Sequence, residues 1–258
     1  MREFLAKYMP PDYSAHGPAL DQLNAVVHWL MLILFIVWGL LFAYMLWRFR
    51  ASRQQRALYH GTHSHLSTYA EAGVAVVEVI LLVGFSIPLW YRWTQRPEPS
   101  KNPIEVRVVA EQFAWNVHYP GADGVFGKMN MKLVSSSNPL GLDPSDPTAK
   151  DDVVSLNQLH MEVNRPIIVR LTSKDVIHSF FLPYMRVKQD AIPGMEVPVH
   201  FTPIRTGGSD AKQPWEIGCA QLCGLGHYRM RGQYQVHTKA DFAKWLAEQQ
   251  PAVANISG

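Results

Sequence analysis

Two long apolar runs near the start of the chain constrain its fold more than any other feature. The run 25–47 contains no Lys, Arg, Asp or Glu, and a second apolar run covers 70–93. A helix needs about 20 apolar residues to cross the hydrocarbon core of a bilayer, so each run is long enough to span it. The first run is too long for the apolar part of a cleaved signal peptide and has no basic segment directly before it. We therefore predict a transmembrane hairpin over residues 25–93.

The segment between the two runs, residues 48–69, predicts the orientation of this hairpin. It carries four arginines and no acidic residue. Basic loops stay preferentially on the cytoplasmic side of a membrane. We therefore expect residues 1–24 and everything after Trp93 on the outer face, and we predict a multi-pass protein of the bacterial inner (plasma) membrane with its larger domain in the periplasm.

Residues 94–237 differ in character from the hairpin. Short β-branched and aromatic runs alternate with turn residues, which is typical of an antiparallel β-sandwich or barrel. Gly121 to Asp152, rich in Gly, Ser, Asn, Asp and Pro, is expected to be a surface insertion between two strands. The predicted strands lie within 104–110, 113–119, 160–173, 176–182, 195–203, 215–219 and 230–237.

The last segment, residues 238–258, is predicted to contain a short helix. Thr238 and Asp241 have the spacing of an N-terminal capping box. Phe242, Trp245 and Leu246 form an apolar stripe at helical spacing, which we expect to pack against the β-domain.

Charge gives little information about partners. The formal net charge is +3, and its excess lies mainly in the arginine-rich segment 48–69, since residues from Gln95 onward are nearly balanced. The sequence has no basic stripe of the kind that binds nucleic acid, so we predict no nucleic-acid partner.

The strongest chemical signal is a cluster of soft donors close to the end of the β-domain. Cys219, Cys223, His227 and Met230 lie within twelve residues, and the chain has only these two cysteines. Thiolate, thioether and imidazole ligands favour copper. Because two bridging thiolates call for two metals, a second imidazole is needed, and His178 on a predicted strand is the candidate. A Cys219–Cys223 disulfide, a Cys2His zinc site and a purely structural His178 stay open as alternatives.

These residues resemble subunit II of the haem-copper cytochrome c oxidases. The spacing Cys-x3-Cys-x3-His-x2-Met is that family's copper motif, and Asp175-Val-Ile-His178 matches its second histidine element. The resemblance implies a two-helix membrane hairpin, then an all-β cupredoxin-like barrel or sandwich and a short C-terminal helix. It also implies a dinuclear copper centre, CuA, with two copper ions. The ligands implied are His178, Cys219, the backbone carbonyl of Gln221, Cys223, His227 and Met230.

The same resemblance implies a function. The chain would accept electrons from cytochrome c, or from a cytochrome c domain, and pass them to haem in the catalytic subunit I. That partner would reduce oxygen to water with proton translocation, and further oxidase subunits would complete a membrane complex. The alternative is a membrane-anchored cupredoxin electron carrier or copper chaperone.

Three positions depart from the family pattern. Gln221 stands where the family has a Glu that binds magnesium, and a neutral amide is a poorer ligand for a hard dication, so support for magnesium is weak. Phe113 replaces the tryptophan through which electrons enter, although Trp115 matches its companion. Glu71 resembles the family's acid at a proton-uptake pathway, and Glu78 lies seven residues further on the same helix face.

Overall fold

The structure is a computed structural model that describes residues 2–53, 56, 59, 64–208 and 214–256. The chain forms two compact units. One unit consists of Met1–Met9 and Ala19–Thr94, and the other of Pro10–Pro18 and Gln95–Gly258.

The first unit is helical. A short helix α1 covers Arg2–Ala6, α2 covers Gly17–Arg48, and α3, Leu66–Leu81, continues through the π-helical turn Leu82–Ser86 into α4, Ile87–Thr94. By length and composition, Gly17–Arg48 and Leu66–Thr94 are each able to cross a membrane.

Both helical stretches begin before the predicted apolar runs. Hydropathy reports only the part of a helix that suits hydrocarbon, whereas backbone hydrogen bonds continue through polar residues such as Asp21 and Asn24. Within the predicted loop 48–69, residues 54–55, 57–58 and 60–63 lie outside the described residues.

The described residues of the second unit form ten strands in two five-stranded sheets. One sheet has the order β3-β2-β1-β5-β8 and the other β4-β10-β9-β6-β7. The strands are β1 Ile104–Glu111, β2 Ala114–Tyr119, β3 Val153–Leu156, β4 Gln158–Glu162, β5 Ile167–Ser173, β6 His178–Leu182, β7 Val187–Ala191, β8 Val197–Phe201, β9 Glu216–Cys219 and β10 Arg231–His237. Short 3₁₀ helices cover Pro99–Lys101, Met131–Leu133, Pro147–Ala149, Pro183–Met185, His227–Arg229 and Ala252–Asn255.

The prediction of an antiparallel sandwich or barrel is wrong for two of the strand pairings, which are parallel. β1 pairs with β5 from Ile104↔Ile167 to Ala110↔Ser173, and β10 pairs in parallel with β4. Alternation of apolar and polar residues reports which face of a strand is buried, not the direction of its neighbour. The run 160–173 also divides into two strands that belong to different sheets.

The apolar core lies between the two sheets. Val106, Val108 and Ala110 of β1 are fully buried, and Trp115 and Phe180 are among the large side chains packed with them. Together with the two membrane-length helices and the C-terminal helix, this arrangement confirms the predicted fold class.

The insertion between β2 and β3 is more firmly anchored than a surface loop. Its last residue, Asp152, is fully buried and accepts hydrogen bonds from His118 Nε2 at 2.6 Å and from the backbone N–H of Gly127 at 2.8 Å. Leu140 and Leu142 are also buried. The polar composition therefore predicted the position of the insertion but not the buried contacts that hold it in place.

The C-terminal helix α5, Lys239–Glu248, begins as predicted. Thr238 Oγ1 accepts a hydrogen bond from the backbone N–H of Asp241 at 3.2 Å. Phe242 is buried, and the Trp245 ring stacks on the His160 ring with centroids 3.9 Å apart. The prediction that this stripe packs against the β-domain is confirmed.

Candidate metal centre

Three neighbouring strands bring the candidate ligands together. His178 is the first residue of β6 and Cys219 is the last residue of β9, and these antiparallel strands pair at Phe180↔Cys219. The chain then forms a loop, turns through the 3₁₀ helix His227–Arg229, and enters β10, which pairs with β9. Met230 therefore lies beside the end of the strand that carries Cys219.

The donor atoms of the site converge on the two sulfurs. The Sγ atoms of Cys219 and Cys223 are 3.8 Å apart. Cys219 Sγ lies 3.9 Å from His178 Nδ1 and 3.2 Å from the carbonyl oxygen of Gln221. Cys223 Sγ lies 3.6 Å from His227 Nδ1 and 3.7 Å from Met230 Sδ. Each sulfur therefore has one imidazole nitrogen and one weak donor beside it.

The donor chemistry fits a pair of soft metal ions. Two thiols, two imidazoles and a thioether are ligands for copper, whereas structural zinc sites do not use a thioether. Both cysteines are free thiols, and their 3.8 Å separation is well beyond the roughly 2 Å length of an S–S bond. His178, Cys223 and Met230 are buried, so water has little access to this side of the site.

Asp175 orients the first histidine. Its Oδ1 lies 2.9 Å from His178 Nε2 and accepts a hydrogen bond from it. In the neutral imidazole this hydrogen bond makes Nδ1, which lies 3.9 Å from the sulfur of Cys219, the nitrogen that is free to bind a metal. Asp175 Oδ2 accepts a hydrogen bond from the backbone N–H of Gln112 at 2.7 Å. One carboxylate therefore links the imidazole to the turn between β1 and β2.

The two thiols differ in their readiness to lose a proton. Burial raises the pKa of the Cys219 thiol, but hydrogen bonds with His178, Ser179 and Gln221 outweigh burial and hold that pKa below its usual range. Burial, and then the negative charge of a neighbouring Cys219 thiolate, raises the pKa of Cys223. Without metal, Cys219 therefore ionises first.

Gln112 and Phe113 contact the loop that carries the ligands. No role was predicted for Gln112 from the sequence. Gln112 Nε2 donates a hydrogen bond to the carbonyl oxygen of Cys223 at 2.6 Å. The Phe113 ring is half-buried and packs over Gly224 and Gly226. The sequence singled out Phe113, which directly follows Gln112, but it did not predict the contact of Gln112 with Cys223, because these positions are 111 residues apart.

The residues predicted for electron and proton transfer lie in different environments. Trp115 is fully buried, so it cannot touch a docked donor, and its ring lies edge-on to the His178 ring at 6.1 Å between centroids. Phe113 is closer to the surface. Glu71 and Glu78 both lie on α3, in the helical unit. Their proposed roles stay predictions.

Three large apolar side chains at the rim of the site are exposed. Leu222, Leu225 and Tyr228 are 77%, 98% and 71% exposed, and all three lie in the segment between Cys219 and Met230. Exposed apolar side chains concentrated at a functional loop are typical of a surface that meets another protein.

Comparisons with known proteins identify the family. Residues 104–233 match the family described as cytochrome C oxidase subunit II, periplasmic domain. The alternative cytochrome c oxidase subunit 2 of Bradyrhizobium diazoefficiens is 33% identical over 93% of this chain and 83% of that protein. Cytochrome c oxidase subunit 2 of Cereibacter sphaeroides is 24% identical over 96% of this chain and 84% of that protein.

Solved structures include the periplasmic domain of subunit II of cytochrome oxidase (CoxB) of Bradyrhizobium japonicum. It is 29% identical, covers 56% of this chain and 91% of that domain, and has a TM-score of 0.39. The sequence matches extend over both the membrane-length helices and the β-domain, as expected for a membrane-anchored subunit of a haem-copper oxidase. This chain therefore belongs to the cytochrome c oxidase subunit II family.

Proposed function

We propose that this chain is the electron-accepting subunit of a respiratory cytochrome c oxidase. It takes electrons from cytochrome c at a dinuclear copper centre, CuA, and passes them to haem in subunit I. Subunit I then reduces oxygen to water, coupled to proton translocation. We place the β-domain on the periplasmic face of a bacterial inner membrane, as the arginine-rich segment 48–69 indicates.

The observation that carries this proposal is the pairing of donors around two adjacent sulfurs. His178 and the Gln221 carbonyl lie beside Cys219, and His227 and Met230 lie beside Cys223. A mononuclear blue-copper site would leave one of the two thiolates surplus. The site therefore has two similar halves, each with one thiol, one imidazole and one weak donor. Each half suits one copper ion.

The chain's own residues hold the site rigid. When bound, the copper pair supplies one-electron transfer. Strands β6 and β9 fix His178 and Cys219, and Asp175 fixes the orientation of the imidazole. Because these supports are buried or hydrogen-bonded, ligand positions change little when charge changes, which favours fast electron transfer.

The surroundings of the site support roles for partners. The exposed rim of Leu222, Leu225 and Tyr228 offers an apolar contact surface for another protein of the electron-transfer chain. We assign electron passage from the donor to the region of Phe113, with the buried Trp115 beside His178 as an inner element of the route. Glu71 and Glu78 are proposed to belong to a proton pathway shared with subunit I.

Magnesium is not part of the proposed cofactor set. The Gln221 backbone carbonyl is directed at Cys219, and its exposed side chain is an amide rather than a carboxylate. Amide oxygens are weaker ligands for hard dications than carboxylates.

Copper content combined with electron paramagnetic resonance on the full chain in detergent tests the proposal. We expect two coppers per chain and seven hyperfine lines, since one unpaired electron is shared by two equivalent nuclei. A four-line spectrum, or a single zinc per chain, would contradict it. Purification from native membranes separates the proposal from a free carrier or copper chaperone, because only the oxidase subunit co-purifies with haem.

A further inference from the structure

The turn between β1 and β2 holds the loop that carries the candidate ligands. Gln112 lies at this turn and makes two hydrogen bonds toward the site. Its side-chain Nε2 donates to the Cys223 carbonyl at 2.6 Å, and its backbone N–H donates to Asp175 at 2.7 Å. The amide orientation is determined, because only the NH2 group is able to donate to a carbonyl. Gln112 therefore connects the two separate segments that supply Cys223 and His178.

Phe113 fills the space next to the same loop. A methyl group added at Gly226 would lie 2.4 Å from Phe113 Cδ2, and one added at Gly224 would lie 2.7 Å from Gln112 Nε2. Such separations are far below van der Waals contact. Gly226 has φ −92°, which any residue can adopt, so its lack of a side chain reflects the position of the Phe113 ring.

We infer that Gln112 and Phe113 are positioning residues that clamp the segment Cys219–Met230. This clamp deepens the proposed function, and its effect on a bound copper pair rests on that function. Gln112 fixes the Cys223 carbonyl, and Phe113 blocks displacement of Gly224 and Gly226. Between them they hold the Cys223 sulfur near its neighbouring donors. In this chain, therefore, Phe113 supports the segment Cys219–Met230 by steric contact.

Thiol reactivity in the copper-free, full-length chain in detergent tests the clamp directly. Because the chain has only two cysteines, labelling by a chromogenic disulfide reagent reports on this segment alone. Gln112→Leu removes one hydrogen bond and should accelerate labelling about 3- to 10-fold. Gln249→Leu is the matched control, since Gln249 Nε2 also donates to a backbone carbonyl, that of Trp245 at 2.9 Å, in α5. Equal labelling of Gln112→Leu and wild type would overturn the role of Gln112.

A double-mutant cycle tests the steric part. Gly226→Ala should accelerate labelling because its methyl group collides with the Phe113 ring. Combining it with Phe113→Ala should remove most of that additional acceleration, since the space is then open. Strictly additive effects would show that the two positions do not constrain each other and would overturn the role of Phe113.

Copper-loaded protein supplies an independent readout. Gln112→Leu and Gly226→Ala should change the copper hyperfine splitting and release copper to a chelator several-fold faster, whereas Gln249→Leu should match the wild type. If the wild type bound no copper pair, the proposed function would fail, but the labelling rates of the copper-free chain would still decide whether the clamp exists.

Discussion

Replacing Asp175 with alanine removes two hydrogen-bond acceptors from the neighbourhood of the candidate ligands. Oδ1 accepts from the buried His178 imidazole at 2.9 Å, and Oδ2 accepts from the Gln112 backbone N–H at 2.7 Å. Gln112 lies at the surface, where water is able to replace the lost acceptor. The larger cost therefore falls on His178, whose Nε2–H loses its partner at about 1–3 kcal/mol.

The expected effect on metal binding follows from the orientation of the imidazole. Without the carboxylate, His178 is free to rotate or to protonate Nδ1, the nitrogen that faces Cys219. Loss of a partner that orients a metal-bound histidine typically costs about 10- to 100-fold in affinity. Asp175→Asn keeps one oxygen but presents an NH2 group in place of the other, so its loss should be intermediate.

Competition for copper against a chelator of known affinity measures this loss in the full chain. Asp143→Ala is a matched control, because Asp143 accepts from the Ser145 backbone N–H at 2.9 Å within the insertion. If Asp175→Ala bound copper as tightly as Asp143→Ala, Asp175 would have no part in orienting His178, and the reasoning would be refuted.

Three further predictions follow from the same structure. Met230→Leu should change the reduction potential of the copper centre while leaving the far-ultraviolet circular dichroism unchanged, since a weak axial ligand tunes the metal more than the fold. Burial, together with the charge of His237, lowers the pKa of His160 to about 4 in the folded chain. As the pH falls, His160 therefore takes up a proton in the unfolded chain before it does so in the folded chain. Stability should therefore fall by about 1–3 kcal/mol between pH 6.5 and 4, and denaturant unfolding should show a smaller fall in His160→Phe. Glu71→Gln and Glu78→Gln should reduce proton translocation per electron in the assembled oxidase, with an unchanged copper spectrum, whereas unaltered pumping in both variants would exclude them from the pathway.

Features that depend on local chemistry were readable from the sequence. The membrane-length helices follow from uninterrupted apolar composition, and the start of α5 follows from the capping pair Thr238 and Asp241. The segment Cys219–Met230 was predicted as a candidate metal site because its soft donors lie within twelve consecutive residues.

Features that depend on which strands are neighbours could not be predicted from the sequence. Strands β3 and β7 were missed because Val153–Leu156 is short and Val187–Ala191 carries Lys, Gln and Asp in its centre. The parallel pairings were missed because a buried face has the same pattern in either direction. The complete burial of Trp115 depends on the second sheet, whose Phe180 ring lies edge-on to it, and the strand that carries Trp115 does not reveal that contact.

The sequence by itself determined which donors are available and that two stretches suit a membrane, because composition and short spacing are local properties. Only the tertiary structure decided that His178 meets Cys219, since the pairing of β6 with β9 joins positions 41 residues apart. It also decided that Gln112 and Phe113 hold the ligand loop. Contacts of this kind depend on the register and order of strands, which are set by packing of the whole sandwich rather than by any one segment.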